Sequence, residues 1–201
     1  MEDVVKRWFH RLMLLVMLIL PFHAFAGVPL DTVKANVNDV LNVLRDPKLQ
    51  GESGKKLKEQ KVAAAADKVF DFIELSKRTL GLNWNKFSPD QRKEFVELYK
   101  TILRDAWVDK ITSFTNQRIN FIKEVPLSET TVEVQSIIFY EGGETPIYYR
   151  VMKKETDWKV YDVVIEGVSL ISNYSTQFRE ILANNPPEKV IETLRKKVGK
   201  K

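Results

Sequence analysis

Residues 157–174 read DWKVYDVVIEGVSLISNY, and this stretch gives the clearest indication of how the chain folds. The spacing over residues 158–165 predicts a β-strand that is apolar on both faces near its centre. Such a strand is covered on both sides, or lies between a core and an apolar cavity. Gly167 favours a tight bend after the strand, and Ser169 is suited to cap the helix that follows. The stretch therefore predicts a strand, a bend and a capped helix, in apolar surroundings.

This strand is the last of a predicted series. After residue 116 the period of the apolar residues changes from 3.6 to 2, which indicates strands. The predicted strands cover residues 117–125, 130–140, 145–154 and 157–165. Their connections are short, and Gly142-Gly143 between the second and third strands is a hairpin signal. Four strands joined in this way predict an antiparallel meander.

Helices are predicted on both sides of the meander. Apolar residues at helical spacing occupy residues 30–44, and a second helix runs from about residue 55 through Ile73. Ser88-Pro89-Asp90-Gln91 combines an N-cap serine, a proline at the first helical position and a capping-box glutamine. Two further helices are predicted at residues 169–183 and 188–198. This order predicts an α+β fold in which a four-stranded antiparallel meander packs against helices.

Residues 1–26 are predicted to be a secretory signal peptide. A charged start is followed by an apolar run of nine residues, 12–20, and by the cleavage motif Ala24-Phe25-Ala26. The run is too short to span a bilayer, which needs roughly 20 residues. We therefore expect cleavage after Ala26 and export of residues 27–201 as a single domain, because no linker or internal repeat divides them.

The residue types narrow the possible chemistry. The chain has no cysteine, and both of its histidines, His10 and His23, lie within the predicted signal peptide. The exported domain would therefore lack thiol and histidine catalysis and the commonest zinc ligands, so no metal site is expected. The net charge of +5 is modest, and an export signal disfavours nucleic acid as a partner.

Three stretches carry a resemblance to a known family. They are VFDFIELSKRTLGLNW at residues 69–84, SPDQRKEF at residues 88–95, and residues 158–178, which contain the Glu-Gly-Val-Ser bend and Gln177-Phe178. In the order and spacing of these motifs the chain resembles the MlaC-like periplasmic phospholipid carriers, the toluene-tolerance auxiliary components of lipid ABC transport systems. Residues 28–60 resemble the family only in being helical, so nothing is carried over to them.

The resemblance implies a curved sheet in a cone-shaped fold like that of nuclear transport factor 2, with a deep apolar cavity. It implies a soluble periplasmic carrier that buries the acyl tails of a phospholipid and serves outer-membrane lipid homeostasis. The implied partners are an inner-membrane ABC transporter with an MCE-domain ring and an outer-membrane lipoprotein complex. We expect a monomer without catalytic activity, whose phospholipid is cargo and which needs no cofactor.

We expect apolar side chains that converge from helices and sheet to form the lipid-binding wall. The helical candidates are Phe72, Ile73, Leu80, Leu98, Tyr99, Ile102, Leu103 and Leu170. The candidates from the sheet are Val132, Val134, Tyr149, Val151, Val163 and Ile165, and Gly167 and Val168 are candidates for a rim. On the last strand, strict alternation places Tyr161 on the cavity face and Val160 on the opposite face. Each candidate is equally compatible with ordinary core packing, because a sequence does not distinguish a filled core from an occupied cavity.

Two alternatives remain open at this point. The first is an enzyme on the same scaffold that uses Asp162 with Tyr149 or Tyr161, which would need a carboxyl group with a raised pKa as its base. The second is an adaptor whose apolar face contacts only a partner protein. Asp71 and Asp162 are interpreted as caps or hydrogen-bond anchors, so the carrier is the favoured interpretation.

Overall fold

The computed structural model describes residues 28–112 and 117–199. The predicted signal peptide, residues 1–26, lies outside the described residues. The α-helices are α1 Val28–Arg45, α2 Glu52–Val69, α3 Phe72–Leu80, α4 Pro89–Thr112, α5 Leu170–Asn184 and α6 Pro187–Val198. Short 3-10 helices cover Pro47–Leu49 and Gly81–Lys86. None of the helices in the described residues combines the length and the apolar character that a membrane span requires.

One antiparallel sheet follows α4. Its strands are β1 Arg118–Pro126, β2 Thr131–Tyr140, β3 Gly143–Lys154, β4 Asp157–Ile165 and β5 Val168–Ser169, and they pair in chain order. The hairpin between β2 and β3 turns at Gly142, whose φ of 101° suits glycine. The predicted α+β meander is confirmed, and a fifth strand of two residues is added to the predicted four because the chain folds back on β4 after Gly167.

The capping signals act as predicted. The backbone N–H of Ser88 donates to Gln91 Oε1 at 2.9 Å, and the N–H of Gln91 donates to Ser88 Oγ at 3.2 Å. At the start of α5 the N–H of Ser172 donates to Ser169 Oγ at 3.1 Å. These bonds satisfy N–H groups that have no partner within the first turn of a helix. Local sequence therefore determines where α4 and α5 begin.

The single helix predicted from about residue 55 through Ile73 is wrong, because the chain breaks at Phe70 and Asp71. Phe70 is extended and forms a bridge with Val160, and Asp71 N–H donates to the carbonyl of Val160 at 2.9 Å. The Asp71 carboxylate then accepts from the N–H groups of Ile73 and Glu74 at 3.1 and 3.0 Å, which starts α3. Contact with β4 therefore divides two helices whose apolar residues share one period.

Buried side chains form two clusters. The helical cluster joins α3, α4, α5 and α6 around Phe95, Tyr99 and Phe178, whose rings lie 5.3 to 5.6 Å apart. The sheet cluster joins α1 to β2, β3 and β4 through residues such as Val33 and Val134. Phe70 packs against both clusters, at the helix break. The interior is therefore divided into two parts, and the space between them matters for function.

Gly54 lies buried in the first turn of α2, where a side chain would meet the backbone of the preceding 3-10 helix. A Cβ on Gly54 would lie 2.5 Å from the carbonyl carbon of Leu49. Helix propensity alone predicts that Gly54→Ala stabilises the protein by about 1 kcal/mol. We expect the opposite, a loss of about 1–3 kcal/mol in the free energy of unfolding, because the backbone of Leu49 would have to move away from the added methyl group. Unfolding in urea measures this loss. Ser53→Ala on the exposed side of the same turn is the control, and a gain in stability for Gly54→Ala would contradict the predicted contact.

Candidate functional site: an apolar cavity

An apolar cavity of about 260 Å³ lies between the sheet and the helices. Members of both clusters line it, so it occupies the space between them. Its apolar wall contains Val33, Val37, Val40, Leu41 and Leu44 of α1, Val62, Ala63, Ala66 and Val69 of α2, Phe70, Phe72 and Leu75, Leu103 of α4, Ile119, Ile138, Ile147, Val160, Val163 and Ile165 of the sheet, and Leu170 of α5. An apolar cavity of about 150 Å³ already holds a ligand the size of benzene. This cavity therefore has room for a larger hydrocarbon group.

Helix α1 forms one side of the cavity because hydrogen bonds hold it to β1 near its start and to the residue before β1 at its end. The N–H of Leu30 donates to Glu124 Oε2 at 3.2 Å, and Arg45 Nη2 donates to the carbonyl of Gln117 at 2.7 Å. The helix therefore runs along β1 in the opposite direction. Its apolar stripe, which has helical spacing, faces the interior over several turns.

The sheet supplies the opposite wall through paired residues. Ile119 pairs with Ile138, and Tyr149 pairs with Val163, so that side chains on neighbouring strands lie side by side on the cavity face. Burial raises the pKa of Tyr149 to about 12, against the opposing effect of a hydrogen bond with Ser136. At neutral pH this residue is a neutral phenol and a poor general base.

A β-bulge changes which residues of β4 face the cavity. Arg150 pairs with Asp162 and Val151 with Val160, so Tyr161 is the extra residue between the two pairs. Val160, Val163 and Ile165 line the cavity as a result. Tyr161 does not, and the guanidinium of Arg78 packs 4.1 Å from the centre of its ring. The strict alternation predicted for this strand is wrong at Tyr161 and Val160, because the bulge shifts the side chains by one position.

The structure brings together part of the predicted set. Phe72, Leu103, Tyr149, Val163, Ile165 and Leu170 line the cavity. Leu80, Leu98, Tyr99 and Ile102 pack in or against the helical cluster instead, and Val132, Val134 and Val151 are buried in the sheet cluster. Ile73 and Val168 are 58% and 59% exposed and, like Gly167, do not line the cavity. That any of the lining residues contacts lipid stays a prediction.

Three of the candidates on α4, Leu98, Tyr99 and Ile102, do not line the cavity, because this helix is buried on more than one side. Tyr99 points towards α5, where its ring centre lies 5.1 Å from that of Tyr174 and 5.6 Å from that of Phe178. Leu103, one turn further on, reaches the cavity. The helical spacing of apolar residues shows which face of a helix is buried, but it does not show which of two interior spaces each side chain enters.

Sequence reasoning missed the contribution of α1 and α2. The spacing from Val33 to Leu44 predicts a helix, but the family motifs do not extend to it. In α2, Ala63 and Ala66 line the cavity, and their small side chains leave space that larger ones would fill. The wide apolar stripe of α1 was the available signal that this helix contributes to the interior, because such a stripe must be buried against other parts of the protein.

Asp162 is an anchor that lies away from the cavity wall. It is 1% exposed and accepts hydrogen bonds from Ser169 Oγ at 2.6 Å, from the N–H of Ile171 at 3.1 Å and from Arg150 Nη1 at 3.2 Å. The enzyme alternative placed this carboxylate in the cavity, and it is not among the lining residues. Within residues 28–112 and 117–199, no group of three or more acidic, histidine or cysteine side chains is arranged to hold a metal ion.

Asp71 provides a test by pH. Burial acts to raise its pKa, but hydrogen bonds from Lys154 and from the backbone of Glu74 and Ile73 outweigh burial and lower the pKa below 3.8. A lowered folded-state pKa stabilises the protein above the unfolded pKa, and this effect is lost as the pH falls through the folded pKa. Asp71→Asn keeps a capping side chain but removes the charge.

We therefore expect Asp71→Asn to lower the free energy of unfolding by about 0.5–1 kcal/mol at neutral pH, a modest loss because Lys154 is half exposed. The difference from the parent protein should shrink to nothing as the pH is lowered through the acid range. Urea unfolding at several pH values measures it. A difference that stays constant with pH would show that the Asp71 charge does not contribute.

These observations define a class of protein, an α+β protein whose antiparallel sheet and helices surround an apolar cavity. The model of the MlaC protein family matches residues 34–196. The chain therefore belongs to the MlaC family, and the resemblance inferred from its three motifs is confirmed.

Individual relatives agree with this assignment. The chain is 28% identical over 101 residues to the intermembrane phospholipid transport system binding protein MlaC of Haemophilus influenzae, a match that covers 48% of this chain and 47%, about half, of that protein. It is 22% identical over 162 residues to the toluene tolerance protein ttg2D of Pseudomonas putida, covering 80% of this chain and 75% of the relative. A phospholipid-binding protein of Ralstonia solanacearum, solved in complex with a phospholipid, superposes with a TM-score of 0.76 at 26% identity, covering 86% of this chain and 98% of that one.

Proposed function

We propose that this protein binds a phospholipid by its acyl tails in the apolar cavity and carries it between membranes. The observation that supports the proposal is the cavity of about 260 Å³, whose wall is mainly aliphatic and aromatic. The structure from Ralstonia solanacearum, which superposes over most of both chains, contains a phospholipid. A space of this composition suits hydrocarbon and offers little to a polar substrate.

The energetics favour a carrier that exchanges lipid by docking. Two acyl tails contain on the order of 30 methylenes, each contributing about 0.8 kcal/mol when transferred from water, or about 24 kcal/mol in all. This exceeds the practical limit of non-covalent affinity, roughly 18–21 kcal/mol. Even partial burial of the tails would therefore make release into water very slow. Loading and unloading would require contact with another apolar environment.

The route that follows from this proposal is export and transfer between two membranes. The predicted signal peptide precedes residue 34, where the family match begins, and cleavage after Ala26 would release the domain into the periplasm. One relative is named as part of an intermembrane phospholipid transport system. We propose an inner-membrane ABC transporter with an MCE-domain ring as one partner and an outer-membrane lipoprotein complex as the other, with the carrier acting as a monomer in outer-membrane lipid homeostasis.

Binding without chemistry completes the proposal. The phospholipid is cargo, and no cofactor takes part. Two features support this: the buried Asp162 is engaged by three hydrogen-bond donors away from the cavity, and Tyr149 on the cavity wall is a neutral phenol. Neither group is suited to act as a base on a ligand in the cavity.

Lipid analysis of the protein from its own compartment tests the proposal. The full chain is expressed in a Gram-negative host, the periplasmic fraction is purified, and bound lipid is extracted with organic solvent and identified by mass spectrometry. We expect stoichiometric diacyl phospholipid and a mature N-terminus at Gly27. A protein that is empty and takes up no lipid from vesicles would overturn the carrier and favour the adaptor. A cytoplasmic chain that keeps residues 1–26 would overturn the export route.

A further inference from the structure

The cavity wall has a polar segment where α2, α4 and the start of β1 come together. Asp67 of α2, Lys100 and Arg104 of α4, and Gln117 are lining residues there. The side chains of Asp67 and Arg104 are 46% exposed and that of Lys100 is 25% exposed, so this segment reaches solvent. We therefore place the mouth of the cavity, where a bound ligand would meet water, at this segment.

Two cations lie next to each other at this mouth. Lys100 and Arg104 are one helical turn apart on α4, so their side chains share one face of the helix. Lys100 Nζ lies 2.8 Å from Asp67 Oδ2 and 5.3 Å from the ring centre of Phe72, which also lines the cavity. Arg104 Nε lies 3.7 Å from Asp105 Oδ1, beyond hydrogen-bond distance.

A purely hydrocarbon ligand gives no reason for charged groups in the wall. Partly burying an ammonium and a guanidinium is unfavourable unless they gain an anionic partner. Asp67 supplies one for Lys100, but it reaches across from α2 to do so. Gln117 adds a buried Oε1 that accepts no hydrogen bond within the described parts of the chain. The mouth therefore offers a polar ligand group two positively charged hydrogen-bond donors and one hydrogen-bond acceptor.

The covalent structure of a phospholipid places its phosphate at this position. The phosphate is joined to the glycerol that carries both tails, so it must lie close to the mouth when the tails enter the cavity. Guanidinium and ammonium groups are the usual protein partners of phosphate. We propose that Lys100 and Arg104 bind the phosphate of the lipid headgroup, with Lys100 exchanging Asp67 for this ligand. This inference rests on the proposed function and adds headgroup recognition to it.

Lipid competition tests the proposal. The purified protein is equilibrated with vesicles that contain phosphatidylglycerol and diacylglycerol with identical tails in equal amounts, and the bound lipids are quantified by mass spectrometry. Lys100→Gln and Arg104→Gln should each lower the ratio of bound phosphatidylglycerol to bound diacylglycerol by roughly three- to tenfold. Asp67→Asn should raise this ratio, because it removes the competing carboxylate.

The control is Lys93→Gln, which removes one positive charge from an exposed position of α4 that does not line the cavity, and it should leave the ratio unchanged. Undiminished uptake of diacylglycerol shows that a variant keeps its cavity. If lipid binds but Lys100→Gln and Arg104→Gln leave the ratio unaltered, the headgroup site is overturned and the carrier stands. If no variant and no parent protein takes up either lipid, the carrier itself fails.

Free phosphate is the other source of the same ligand chemistry. Calorimetric titration of the parent protein with inorganic phosphate should show no saturable binding, because the cations act on a phosphate that the buried tails hold in place. Saturable binding that Lys100→Gln and Arg104→Gln abolish would assign these residues to free phosphate and overturn the assignment to lipid.

Discussion

Replacing Ala66 with tryptophan should lower the affinity of the protein for phospholipid at least roughly tenfold while the protein stays folded. Ala66 lines the cavity from α2, so the indole would occupy part of the about 260 Å³ that we assign to the acyl tails. Each methylene that is excluded forfeits about 0.8 kcal/mol, so loss of room for only two methylenes already lowers affinity roughly tenfold. Because the added side chain enters open space, it need not displace packed neighbours.

Ala64→Trp is a matched control in the same run of alanines. Ala64 is exposed on α2 and does not line the cavity, and the two substitutions have the same effect on helix propensity. Each variant competes with tagged parent protein for a limiting amount of vesicle phospholipid, and the lipid that it retains is quantified by mass spectrometry against protein. We expect Ala64→Trp to retain the lipid content of the parent protein. Equal lipid in the two variants would show that the tails do not occupy this cavity.

Asp162→Ala should be the most destabilising of the substitutions considered. It removes a carboxylate that accepts from Ser169 Oγ, Ile171 N–H and Arg150 Nη1, and it leaves the first turn of α5 without one of its acceptors. We expect a loss of about 2–4 kcal/mol in the free energy of unfolding, below the upper range for a buried ion pair because Arg150 is 34% exposed.

The matched control is Asp157→Ala at the other end of β4. The Asp157 side chain is 55% exposed and pairs with Lys159 at 2.7 Å, so its removal should cost less than about 1 kcal/mol. Urea unfolding with a common slope compares the two variants. A loss for Asp162→Ala no larger than that for Asp157→Ala would mean that the network around Asp162 does not hold α5 to the sheet.

Much of the fold could be predicted because its signals are local. The capping box at Ser88 and Gln91, the cap at Ser169 and the glycine turn at Gly142 each act within a few residues, and each is found where it was expected. Alternation and helical spacing then located the four long strands and most of the helices. These features depend on the intrinsic conformational preferences of short segments.

The failures occurred where a distant partner decides the conformation. The break at Asp71 depends on its hydrogen bond to Val160, and the bulge at Tyr161 depends on the register with β3. Neither contact changes the spacing of the apolar residues, which continues through Asp71 and through Tyr161. The predicted face of β4 and the predicted length of α2 were wrong for this reason.

The sequence by itself determined most of the secondary structure, the order of the layers and, through three motifs, membership of the MlaC family. The cavity was decided only by the tertiary structure, because an empty volume is set by the distance between layers and belongs to no single segment. Six of the proposed residues face it, while others of the same apolar character fill the two clusters beside it. The charged mouth likewise exists only once α2 and α4 bring Asp67 and Lys100 within 2.8 Å of each other.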